Sequence, residues 1–99
     1  STEEIQKIKI AVSYVERAFE YAFSLLKEGI SEWELATEIE YFIKKYLKTM
    51  PSFDIIVLFG QNTANPHGIP SNKRLSYGDL ILIDMGCVYE GYKSDMTRT

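Results

Sequence analysis

Cysteine, histidine and long apolar runs are scarce in this sequence, and each scarcity excludes something. The single cysteine, Cys87, cannot form an internal disulfide, so we expect a reduced, cytoplasmic setting. No apolar run approaches the roughly 20 residues of a membrane span, and the N-terminus is acidic and amphipathic, unlike a signal peptide. The net charge of −3 offers no basic surface for nucleic acid or for a membrane.

Apolar residues make up 45% of the 99 residues, enough for one small domain with a core. In residues 1–28 they recur at steps of three and four, which predicts an amphipathic helix that ends at Gly29. Ser31 and Glu34 have the spacing of a capping box and begin a second helix, which ends before Pro51. The predicted apolar face of this second helix comprises Leu35, Ala36, Ile39, Phe42, Ile43, Tyr46 and Leu47.

The second half of the chain has the pattern of strands separated by a long polar loop. An apolar, β-branched run at residues 55–59 precedes the loop at 61–77, and another apolar run follows at 80–85. From there to residue 99 we expect two strands joined by a tight turn. Helices followed by antiparallel strands predict an α+β fold, with two helices on one face of a small, mostly antiparallel sheet. Both faces of the run at 80–85 are apolar, with Leu80 and Leu82 beside Asp84 on one and Ile81, Ile83 and Met85 on the other, so the face that the helices do not cover is left open.

Two aspartates, Asp84 and Asp95, lie in the last two predicted strands. Asp84 stands in an apolar run, where an unpaired carboxylate is costly to bury, and a bound metal is one way to compensate its charge. A turn at residues 89–90 pairs the aspartates directly, whereas a turn at 90–91 makes them diagonal neighbours. Both registers place them on one face, with Cβ atoms about 5 to 8 Å apart, and Gly91 favours the second. Asp95 could instead cap nearby backbone amides.

The lone histidine and the lone cysteine have ordinary interpretations. His67 lies in the polar loop, where a single histidine is most often an exposed residue. Cys87 has no second cysteine or histidine near it in the sequence, so we expect a packed strand residue and not a nucleophile.

The segments GQNTANPHGIP, GDLILIDMG and GYKSDMTRT resemble the pita-bread metallopeptidases of the M24 type, the group of methionine aminopeptidase, aminopeptidase P and prolidase. The similarity extends from residue 2 to residue 99, and SDMTRT looks more like the Xaa-Pro branch. The resemblance implies that Asp84 binds one of two divalent metal ions (manganese, cobalt, zinc or iron) and that Asp95 bridges both. It further implies that Thr97 orients a metal ligand and that His67 lines the substrate cleft.

The same resemblance implies that residues 1–99 are the N-terminal half of a pita-bread catalytic domain, truncated before its C-terminal half. Family members take one further histidine and two glutamates from that half, including the general acid/base. With two ligands, this chain should bind metal weakly and be inactive alone. The parent protein would hydrolyse proline-containing peptides at Xaa-Pro bonds with a metal-activated water. The open apolar face predicts a homodimer or another association through the sheet.

Three alternatives stay open from the sequence. The chain could be part of a methionine aminopeptidase, although SDMTRT and the NTANPHG loop speak against it. It could be a non-catalytic, peptidase-like binding module, although such a module has no need of both Asp84 and Asp95. It could also be a split piece of a protein, as its end directly after SDMTRT indicates.

Overall fold

The computed structural model describes residues 1–65 and 67–98, and for residues 92–98 it describes the backbone. Two helices precede three strands: α1 (Thr2–Leu25), α2 (Glu32–Lys45), β1 (Ile56–Phe59), β2 (Ile81–Tyr89) and β3 (Tyr92–Arg98). A short 3-10 helix, Gly60–Ala64, follows β1. This order of helices and strands is the one that the sequence pattern predicts. In the part of the chain described, no helix has both the length and the apolar character needed to cross a membrane.

Helix α1 begins as predicted and ends early. The Ser1 hydroxyl accepts a hydrogen bond from the Glu4 N–H (3.2 Å) and caps the first turn. The predicted end at residue 28 is wrong, because Leu26 already has an extended backbone with φ −68° and ψ 115°. Gly29 is therefore not the cap. Its φ of +97° belongs to the following turn, where its N–H donates to the Leu75 carbonyl (2.9 Å).

The apolar residues of α1 form a stripe along the whole helix, but only the later part of this stripe is buried. Ile5 and Ile8, the first two members of that stripe, are 54% and 44% exposed. The first turns of α1 therefore extend past the core. The buried residues of the helix all lie further along: Ala11, Val15, Ala18, Phe19 and Ala22.

Helix α2 has the predicted capping box. The Ser31 hydroxyl accepts from the Glu34 N–H (3.0 Å), and the Glu34 carboxylate accepts from the Ser31 N–H (3.1 Å). The placement of Tyr46 on the buried face is wrong, because this residue is the C-cap and is 56% exposed. The Tyr46 ring packs against the Phe42 ring with a distance of 5.5 Å between the ring centroids. The rest of the predicted face is largely buried: Leu35, Ile39, Phe42, Ile43 and Leu47.

The sheet is antiparallel throughout, with strand order β1-β2-β3. Helix α1 packs on β2 and β3, and α2 packs on β1. Along β2, the side chains of Ile83, Met85 and Cys87 are fully buried in the core shared with the helices. Leu82 and Asp84, which alternate with them, are half-buried on the other face. The predicted α+β fold, with two helices on one face of a small sheet, is confirmed.

Burial of the helix-facing row fixes the strand register. Each fully buried aliphatic side chain contributes about 1.5 to 3 kcal/mol. A slip of one residue would move Ile83 and Met85 out of the core and Asp84 into it. The hydrophobic pattern of β2 therefore holds Asp84 on the face opposite the helices.

That second face is only partly covered. Leu58 of β1 is 1% exposed because the loop after β1 lies over it, and a Cβ atom added at Gly68 would be 3.1 Å from the Leu58 side chain. Leu80, just before β2, is 63% exposed. An uncovered apolar area thus remains beside Asp84.

Candidate metal and substrate site

The hairpin between β2 and β3 decides how the two aspartates relate. Tyr89 pairs with Tyr92, so the turn consists of Glu90 and Gly91. Both turn residues have positive φ, 47° and 85°, as a two-residue turn of type I′ requires. This is the second of the two registers considered from the sequence, the one that Gly91 favours.

In this register Asp84 pairs with Thr97, and Gly86 pairs with Asp95. Asp84 and Asp95 are therefore diagonal partners, a relation in which residues are about 7 to 8 Å apart. Because positions 95 and 97 are two residues apart on β3, they share the face of the sheet on which Asp84 lies. The side chains of Asp95 and Thr97 lie outside the described residues, so their roles as bridging ligand and orienting partner stay predictions.

The described side chains next to Asp84 on its face of the sheet are apolar. On β1 its pairing partner is Ile56, and Leu82 lies two residues earlier on β2. Among the residues that the structure describes, none forms a hydrogen bond or ion pair with the Asp84 carboxylate. The same residues contain no group of three or more histidine, cysteine, aspartate or glutamate side chains that could hold a metal ion. Asp84 is thus a hard oxygen donor whose charge no described side chain compensates.

His67 lies at the surface of the loop after β1, and its side chain is exposed. Its backbone N–H donates to the Asn65 side-chain oxygen (3.2 Å), and the Gly68 N–H donates to the Asn65 carbonyl (2.8 Å). Asn65 thus accepts both bonds, one with its side chain and one with its backbone carbonyl. The imidazole is free to meet a ligand at the surface, and its role toward substrate stays a prediction.

Cys87 is a packed strand residue, as predicted. Its side chain is fully buried on the helix-facing side of β2. Burial raises the pKa of its thiol to about 11, so the reactive thiolate is scarce at neutral pH.

The sequence pattern does not indicate the role of one carboxylate, that of Glu32, the first residue of α2. This residue is fully buried, yet its two oxygens accept four hydrogen bonds. Burial raises the pKa of Glu32, but the bonds from the Ser71 hydroxyl, the Asn62 amide and two backbone N–H groups outweigh it, so the pKa lies below its ordinary value of 4.5. Glutamate is common in the first turn of a helix. Glu32 differs from other such glutamates only in its hydrogen-bond partners, which are distant in the sequence.

Comparison with known proteins agrees with this arrangement. An uncharacterized peptidase of Staphylococcus saprophyticus is 46% identical over all 99 residues, which span 28% of its length. The solved prolidase of Thermococcus sibiricus superposes with a TM-score of 0.92 at 41% identity, over 99% of this chain and 27% of that one. The X-Pro aminopeptidase of Thermotoga maritima gives a TM-score of 0.88 at 40% identity, over 99% and 28%.

The fold and the hairpin therefore define the N-terminal half of a pita-bread peptidase domain of the kind found in prolidases and Xaa-Pro aminopeptidases. Residues 6–99 match the model of metallopeptidase family M24, and the chain belongs to this family.

Proposed function

We propose that this chain forms part of a metal-dependent exopeptidase that hydrolyses Xaa-Pro bonds. The observation that carries the proposal is the hairpin register, which puts Asp84 and position 95 on one face of the sheet beside the open surface. Membership in a metallopeptidase family supports the reaction class. The similar solved structures that are named prolidase and X-Pro aminopeptidase support the preference for proline.

Asp84 and Asp95 are the proposed metal ligands on this chain, with Thr97 orienting a metal ligand. The fit rests on Asp84, a half-buried carboxylate with no described partner, since oxygen donors of this kind suit manganese, cobalt, zinc or iron. A bound pair of such ions supplies a water activated for attack on a peptide carbonyl. The protein's own contribution is to hold the two carboxylates at fixed positions on adjacent strands.

His67 is the proposed substrate-contacting residue. Its exposed imidazole sits on a loop that packs over Leu58, on the same face of the sheet as Asp84. An imidazole N–H at such a position can donate a hydrogen bond to a peptide carbonyl or carboxylate.

The metal site is proposed to be completed outside this chain. The chain spans 28% of the length of the curated relatives it matches. The remaining histidine and two glutamates expected for this family, and with them the general acid/base, would come from the rest of a longer polypeptide. We therefore expect the 99-residue chain alone to bind metal weakly and to lack peptidase activity.

The open sheet face is also proposed to associate. Leu80 is 63% exposed there, and a three-stranded sheet covered by helices on one side leaves apolar area for a second copy. We expect a homodimer in sedimentation equilibrium. A chain that stays monomeric at high concentration, with no change when Leu80→Lys is introduced, contradicts this association.

Calorimetric titration with Mn²⁺ or Co²⁺ tests the metal site. We expect binding in the millimolar range that is lost in Asp84→Asn. Asp54→Asn is the matched control, because Asp54 is an exposed aspartate outside the hairpin and the same charge is removed. Binding that is equal in wild type and Asp84→Asn, or that falls equally in both variants, overturns the proposed ligand.

A further inference from the structure

The loop that carries His67 spans residues 60–71, and we call it the histidine loop. It leaves β1 at Phe59 and returns to the N-terminus of α2 at Ser71. A loop of this length loses much conformational entropy when it is ordered, so some interaction must hold it. The described contacts identify the Glu32 carboxylate as the group that touches both of its ends.

Each oxygen of Glu32 binds one end of the histidine loop. Oε2 accepts from the Phe59 N–H (2.7 Å) and from the Asn62 side-chain amide (3.0 Å), at the beginning of the loop. Oε1 accepts from the Ser71 N–H (2.9 Å) and the Ser71 hydroxyl (2.7 Å), at its end. Hydrogen bonds to an ionised acceptor are about twice as strong as neutral ones, so a single side chain closes the loop.

The helix supports the same contact. The Trp33 N–H at the start of α2 donates to the Ser71 carbonyl (2.9 Å), and the Glu32 N–H donates to the Lys73 carbonyl (2.9 Å). These amides belong to the first turn, where the helix has no acceptor of its own for them. The positive end of the helix dipole also favours the Glu32 carboxylate. The anchor is thus built into a rigid element.

A continuous series of hydrogen bonds leads from Glu32 to His67. The Asn62 side-chain amide donates to Oε2 of Glu32, and the Asn62 backbone carbonyl accepts from the Asn65 N–H (3.1 Å). The side-chain oxygen of Asn65 in turn accepts from the His67 N–H, and the backbone carbonyl of Asn65 accepts from the Gly68 N–H. The backbone conformation at His67 therefore depends on a carboxylate that is 35 residues earlier in the sequence.

We propose that Glu32 is a positioning residue, which holds the histidine loop closed over the sheet so that His67 faces the site on the Asp84 side. The significance of this for substrate rests on the proposed function of His67. The closure of the loop by Glu32 does not depend on that proposed function, and it can be measured without metal or peptide.

Nuclear magnetic resonance of the 99-residue chain tests the proposal through backbone order in the histidine loop. The first variant is Glu32→Ala, which removes the hydrogen bonds to both ends of the histidine loop. The second is Asn62→Ala, which removes only the bond between Glu32 and the Asn62 amide and keeps the buried carboxylate. Ile39→Val is the control, because it trims a fully buried residue of α2 that is seven positions beyond Glu32. The single histidine gives one unambiguous imidazole signal.

We expect the amide order parameters at residues 63–65, 67 and 68 to fall from about 0.85 to below about 0.6 in Asn62→Ala and in folded Glu32→Ala. The Gly68 amide should exchange at least about tenfold faster, the equivalent of one closing bond lost, while Ile39→Val leaves both values at wild type. If Glu32→Ala does not fold, Asn62→Ala still decides. Loop order that is unchanged in Asn62→Ala, or that falls equally in Ile39→Val, overturns the proposal.

Discussion

Replacing Glu32 by glutamine removes one buried charge and almost no volume, so it isolates the hydrogen bonding of the carboxylate. Glutamine has one acceptor oxygen and a donating NH₂ group in place of the two acceptor oxygens. The backbone N–H of Phe59 is buried and makes one of the two shortest of the four bonds, so we expect the glutamine oxygen to stay with it. The NH₂ group then faces Ser71, where the N–H loses its acceptor and the hydroxyl must reverse its role.

The expected loss follows from these bonds. Leaving one N–H without its acceptor costs about 1 to 3 kcal/mol when it is buried and less where water reaches it, as at the exposed Ser71. The bonds that remain become neutral and lose about half their strength. Burying a neutral amide is easier than burying a charge, and this offsets part of the loss. We expect a net destabilisation of about 1 to 2 kcal/mol, or a melting temperature lower by about 5 to 15 °C for a domain of this size.

The loss should depend on pH in a definite direction. The pKa of Glu32 lies below 4.5 in the folded chain, so its carboxylate stabilises the fold fully above the unfolded pKa. As the pH falls through the folded pKa, Glu32 becomes protonated and the contribution is lost. The difference in unfolding free energy between wild type and Glu32→Gln should therefore be constant near neutrality and narrow below about pH 4.5.

Urea and thermal unfolding followed by circular dichroism measure both effects. Glu20→Gln is the matched control, since it makes the same chemical change on an exposed side chain of α1 that faces away from the loop. We expect the control to melt close to wild type at every pH. The reasoning is refuted if Glu32→Gln costs less than about 0.5 kcal/mol, the usual range of a surface change. It is equally refuted if the two variants behave alike.

Two further substitutions probe the backbone around the site. Gly68→Ala would place a Cβ atom 3.0 Å from the Asn65 carbonyl oxygen and 3.1 Å from the Leu58 side chain. We expect it to lower the unfolding free energy by about 1 to 3 kcal/mol in urea, whereas Asn72→Ala, a change at an exposed residue of the adjoining segment, should not. Glu90→Asn should raise the unfolding free energy by about 0.5 to 1 kcal/mol, because Glu90 has a φ of 47° and asparagine tolerates that conformation. The ion pair of Glu90 with Lys7 of α1 (3.3 Å), in which both side chains are partly exposed, is expected to be worth less, so a lower melting point would contradict this.

The parts of the fold set by short-range signals were predictable from the sequence. The capping box at Ser31 needs only residues three apart, and the hairpin register needs only the preference of Gly91 for positive φ. The grouping of Asp84 with Leu82 on one face and of Ile83 with Met85 on the other follows from the alternation of side chains along β2. Each of these features is decided within about ten residues of chain, where propensity and side-chain alternation act directly.

The features that the sequence did not indicate depend on distant contacts. The end of α1 lies at Leu25 because the chain must turn there to bring Gly29 to Leu75, a pairing that no local pattern encodes. Tyr46 continues the apolar spacing of α2, yet the helix ends before it and its side chain stays outside. In both cases periodicity gave the correct face and tertiary structure determined where that face stops.

The two unusual carboxylates of this chain show why one was found and the other was not. Asp84 is conspicuous in the sequence because it interrupts an apolar run, and the structure leaves it half-buried without a described donor. Glu32 is inconspicuous in a polar helix start, and the structure buries it under four donors. A carboxylate whose oxygens already accept hydrogen bonds from N–H and O–H groups is stabilised as an anion, and few of its lone pairs remain to bind a cation. One that lies near the surface and has no donor among the described residues can bind a cation at lower cost. On this physical ground Glu32 is a structural anchor, and Asp84 is the residue to test for metal.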